Sequence, residues 1–71
     1  MLKELTDYLD LRYRMAKQAR DLNSCNDFYH QAFGALDYFH TTHPELRARV
    51  EALWSDTYRP MFERLIWEAA T

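Results

Sequence analysis

The stretch THPELRARVEALWSDTYRPMFERLIWEAA, residues 42–70, decides how this chain folds. Thr42-His43-Pro44-Glu45 opens it as a helix start. Thr or His takes the capping place, Pro sits in the first turn where its missing N–H costs nothing, and Glu lies against the positive end of the helix dipole. From Pro44 onward, Leu46, Val50, Leu53, Trp54 and Thr57 fall along one side of a helix. Continued past Pro60, the same line runs into Arg64 and Glu68. The bulky residues there, Met61, Phe62, Leu65, Ile66 and Ala69, centre roughly 80° to 100° further round the wheel. Pro60 lacks a backbone donor, and its ring clashes with the carbonyl four residues back. The spacing therefore predicts one continuous helix over about 44–70, kinked or briefly broken near 56–60, rather than two separate helices. Its C-terminal half is expected to face something the first half does not.

Working back from that stretch, residues Phe28, Ala32, Ala35, Leu36 and Phe39 form a helical stripe, with Tyr29, Phe33 and His40 on its shoulder. Asp27, His30, Gln31, Gly34 and Tyr38 point away. This second helix is expected over about 25–42, opened by Asn23-Ser24-Cys25-Asn26, with Ser24 and Asp27 spaced as an acidic variant of the capping box. The first helix, about 2–22, segregates most clearly. Leu2, Leu5, Tyr8, Leu9, Met15, Ala16, Ala19 and Leu22 lie on one side, opposite Lys3, Thr6, Asp7, Asp10, Arg14, Lys17 and Asp21. Its apolar arc is wide enough to touch two neighbours. No repeat, linker or low-complexity tract interrupts the pattern, so residues 1–71 are read as one helical domain. Short connections make sequential helices antiparallel, and the fold class is all-α: a small three-helix antiparallel bundle.

Composition narrows the functional classes. A chain of 71 residues buries only about 60% of the surface that its unfolded form exposes. One cysteine, Cys25, rules out an intrachain disulfide, so self-association is the economical source of extra stability. Nine Lys and Arg against eleven Asp and Glu leave a net charge of −2, which attracts neither a phosphate backbone nor an anionic membrane. The N-terminal MLKELTDYLD carries acids where a secretory signal has a basic start and an apolar run, so a cytoplasmic location is expected.

Few residues offer chemistry. Asp37, His40 and His43 are three apart and of metal-ligating type, yet no second Cys or His cluster completes a coordination sphere, and no metal or other cofactor is expected. Cys25, near a helix start, is open to a lowered pKa from the helix dipole, but no neighbouring base activates it, and it reads as a small structural residue. Without a nucleophile or proton-transfer pair held in a pocket, neither an enzyme nor a small-molecule site is expected. The second helix, turn and third helix also match a helix-turn-helix in outline, with Arg47 and Arg49 near the start of the recognition helix and Arg20 joining them only if a dimer brings all three onto one face. Arg47 is followed four residues on by Glu51, Arg59 by Glu63 and Arg64 by Glu68, so these positive charges are neutralised on their own helix faces. Nucleic-acid binding stays as the alternative reading, and a metal or enzymatic role as a second one.

The surplus of rings is what remains to be explained. Two Trp, five Tyr and four Phe are more bulky surface than three short helices hide. Trp54, Tyr58, Phe62, Ile66 and Trp67 are therefore assigned to an interface, together with Arg12, the one charge that interrupts the apolar face of the first helix. Gly34, on the polar side of the second helix, reads equally as a point of close approach by another chain and as a neutral change. The sequence thus predicts a non-enzymatic protein–protein interaction module that forms a homodimer through the C-terminal half of the third helix and part of the first. It would also bind an unidentified protein partner.

Overall fold

Helix α1 runs Leu2–Ala19, and its end is set by one residue: Arg20 takes the left-handed conformation, φ 63°. That turn reverses the chain at once. Asp21 follows in extended conformation, and its carboxylate accepts the Ser24 N–H at 2.8 Å, capping α2, Leu22–Thr42. The expected helix ends move accordingly. The first helix stops at Ala19 rather than near residue 22, and the second begins at Leu22, with Asp21 and not Ser24 as its cap. A carboxylate in the extended residue before a helix satisfies an orphan N–H and also meets the positive end of the dipole, so it wins over the hydroxyl three residues later.

In this computed structural model, which describes residues 2–71, the third rod spans residues 44–70 without a break. It opens as a 3-10 turn, Pro44–Leu46, directly after His43, continues as α3, Arg47–Leu53, passes through one π turn, Trp54–Tyr58, and ends as α4, Arg59–Ala70. Thr42 does not cap this rod. Its hydroxyl bonds back to the Tyr38 carbonyl at 2.8 Å, inside α2. The rods pack as an all-α bundle measuring 39 × 17 × 16 Å, in which α2 packs against α1, α3 and α4, and α1 also touches α4.

The π turn resolves the discrepancy between the two apolar stripes. The Arg59 N–H bonds to the Trp54 carbonyl, five residues back instead of four, so one extra residue is wound into the rod. An extra residue delays everything after it by about 100° on the wheel, close to the offset between the stripes. Val50, Trp54, Tyr58 and Phe62 are consequently all buried in the same core. The expectation that the C-terminal half turns outward is corrected by this geometry: a single inserted residue rotates it back in. Pro60, in the first turn of α4, fits the bulge because the ladder is already displaced there and the proline itself is exposed.

The core absorbs much of the aromatic surplus. Phe62 is fully buried and meets Tyr13 edge-on at 5.5 Å and Tyr29 at 5.9 Å, while Trp54 lies 5.7 Å from Tyr29 and 5.3 Å from Phe33. Edge-to-face pairs of this kind add about 0.5–1.5 kcal/mol each beyond the area they bury. Leu5, Leu9 and Ala16 of α1 and Cys25, Ala32, Leu36 and Phe39 of α2 complete the core.

Candidate interaction surface

The residues assigned to an interface separate into three groups. Trp54, Tyr58 and Phe62 are 7%, 5% and 0% exposed, so within this chain they are core residues, and the π turn is the reason. Ile66 is half-buried, and Trp67 is 66% exposed. These two adjacent residues of α4 lie on one wall of a groove of about 490 Å³, with Tyr29, His30 and Asn26 of α2 on the other wall. Phe33, 41% exposed, meets the Tyr29 ring at a tilt, 4.8 Å between centres, and extends the aromatic surface along α2. Burial pushes the Tyr29 phenol above its ordinary value, and the nearby Glu63 carboxylate adds to this while Arg59 opposes it. Trp67 is positioned by its place one residue after Ile66. When the packed face of α4 turns inward, the next residue emerges on the flank.

Arg12 belongs to a different surface. Its guanidinium lies 4.7 Å from the centre of the Tyr8 ring, with Nη1 3.6 Å from the Met15 sulfur, and Nε is buried without a hydrogen-bond partner. Tyr8 lines a second groove, of about 290 Å³, between α1 and α2, with Glu4, Ala35, Tyr38 and Phe39. Leu11, Met15 and Tyr38 are exposed along this face at 45%, 36% and 64%. Sequence reasoning placed Tyr38 away from the core but did not single it out as a surface anchor. The signal was present, because a Tyr on the polar side of α2 has no intrachain partner to seek.

The remaining candidates show little convergence. His43 stacks on Phe39 at 5.1 Å and meets the Thr42 hydroxyl, and His40 is half-buried with Nε2 unpartnered. Asp37 is exposed, and among the described residues no three His, Cys, Asp or Glu side chains come together as metal ligands. Cys25 is fully buried, with its thiol 3.5 Å from the Ala16 carbonyl. Burial pushes that thiol up, and the Asp21 charge adds to the effect, so the lowered pKa considered for a cysteine near a helix start is overturned by desolvation. The predicted pairs Arg47–Glu51, Arg59–Glu63 and Arg64–Glu68 form at 3.1, 3.5 and 3.2 Å on exposed faces. No described helix is long and apolar enough to cross a membrane. Set beside family models, curated proteins and solved structures, the chain matches none of them.

Proposed function

We propose that this chain is a non-enzymatic protein–protein interaction module, a small regulatory or accessory protein that works as a homo-oligomer in the cytoplasm. The observation that carries this reading is Trp67, two-thirds exposed on the wall of the α2–α4 groove beside Ile66 and Tyr29. A rigid indole left in water beside other rings is the kind of anchor that dominates binding energy once a partner excludes solvent. A lone, buried free thiol is compatible with a reducing compartment.

The test uses Trp67→Ser, a change at an exposed position. The folded variant is expected to lose retention of a protein partner from the native host while keeping its far-UV circular dichroism. Equal retention by both proteins would overturn the role assigned to this groove. Light scattering over a wide concentration range tests the homo-oligomer, which a strict monomer would refute.

A further inference from the structure

We infer that the second copy in the homo-oligomer seats on the α1–α2 face, antiparallel across a two-fold axis at Tyr8, so that Arg12 of each copy pairs with Glu4 of the other. This rests on the self-association proposed above and adds the face, the register and the charged pair.

Burial of the α1 face is unfinished within one chain. The apolar arc of α1 is wider than its own chain uses: Leu5 and Leu9 are buried, while Leu11 and Met15 stay exposed and Tyr8 is half-buried. The groove beside Tyr8 is open, and its α2 wall carries the small residue Ala35. A second helix therefore has room to approach.

Charge selects what that helix is. Arg12 rests on the Tyr8 ring and the Met15 sulfur, and its Nε is buried with no acceptor. Among the described residues neither Arg12 nor Glu4 makes an ion pair. Arg12 as a whole is only half-buried, so a carboxylate delivered by the occupant can reach the outer guanidinium nitrogens in a charge-assisted bond. Glu4 and Arg12 flank Tyr8 by one helical turn each, about 6 Å along the axis. Equal spacing about one residue is what an isologous contact requires, because rotation about Tyr8 carries each Arg12 onto Glu4 of the other copy.

On the Tyr8 face of α1 the acid Glu4 lies in the first half and the cation Arg12 in the second, while Asp7 is paired with Lys3 and Asp10 with the Tyr58 hydroxyl. Antiparallel helices bring these halves together with opposite signs, whereas parallel ones would stack like on like. On α2, Ala35 and Tyr38 serve this face and Tyr29 the other, so the Trp67 groove remains free.

The experiment is sedimentation equilibrium at low salt on the full chain, with Glu4→Arg, Arg12→Glu and the double variant. Each single change is expected to weaken the dimer about tenfold or more, and the double variant to recover most of that loss. Circular dichroism reports folding, and since Glu4 is exposed, Glu4→Arg decides the matter if Arg12→Glu fails to fold. A dimer indifferent to Glu4→Arg but lost in Trp67→Ser overturns this inference and leaves self-association standing. A folded double variant that stays monomeric overturns the Arg12–Glu4 pair. A wild-type chain that is monomeric at every concentration overturns both the inference and the self-association beneath it.

Discussion

The Tyr58 hydroxyl donates a 2.6 Å hydrogen bond to Oδ1 of Asp10, joining the π turn of the third rod to the middle of α1 across 48 positions of sequence. This bond ties the bulge to α1. Tyr58 is 5% exposed while Asp10 reaches solvent, so the phenol supplies the buried half of the contact and the carboxylate the hydrated half.

Tyr58→Phe keeps the ring and removes the donor. Because Asp10 can turn to water, the cost is expected near the lower end of bonds to charged groups, about 1–2 kcal/mol. Urea melts of the two proteins measure it, and a loss below a few tenths would mean that the bond holds geometry without adding stability.

The same phenol gives an alkaline limit. Burial, then the bond to Asp10 and its charge, raise the Tyr58 pKa well above the ordinary 10.0. The folded chain thus keeps a proton that the unfolded chain releases, so its stability contribution is intact below pH 10 and declines above it. Cys25, also raised by burial, starts the decline near its ordinary 9.0. Thermal melts from pH 7 to 11 are expected to fall from about pH 9, and Tyr58→Phe is expected to flatten the part above pH 10.

Arg20→Gly is expected to stabilise the chain by about 0.5–1 kcal/mol, because a left-handed backbone strains a side chain with Cβ but not glycine. Arg20 is exposed, so little packing is lost. A lower melting midpoint in the variant would show that the guanidinium does more than end the helix.

Length changes in the π turn test its role as a register shift. Deleting the exposed Thr57 together with Pro60→Ala converts the bulge to plain α-helix and keeps Val50 and Phe62 on one face, so cooperative unfolding is expected to survive. One Ala inserted after Ser55 adds another 100° or so and is expected to abolish it. Circular dichroism melts distinguish these outcomes.

Neighbouring rings of α4 should behave oppositely. Phe62→Ala empties a fully buried site and is expected to cost about 3–5 kcal/mol, whereas Trp67→Ser should change stability by no more than about 0.5 kcal/mol. Denaturant midpoints with unchanged slopes check both, and a large loss at Trp67 would make it a core residue.

Much of the candidate surface was hidden from linear reading for a specific reason. Helical wheels assume a constant angular step, so Trp54, Tyr58 and Phe62 read as lying on diverging faces, although one π hydrogen bond from Arg59 to Trp54 realigns them. Trp67 and Arg12 were legible, because an indole off the packed stripe and a charge within an apolar arc are anomalies at any helix phase.

The amino-acid order by itself determined three helical segments, the Pro44 start, the surface ion pairs of the third rod and the excess of rings over core space. These are local or periodic properties, set by side chains a few residues apart. Tertiary packing alone decided the left-handed turn at Arg20, the π turn ahead of Pro60 and which rings stay in water. Each depends on how residues distant in sequence, such as Asp10 and Tyr58 or Tyr13 and Phe62, compete for the same space.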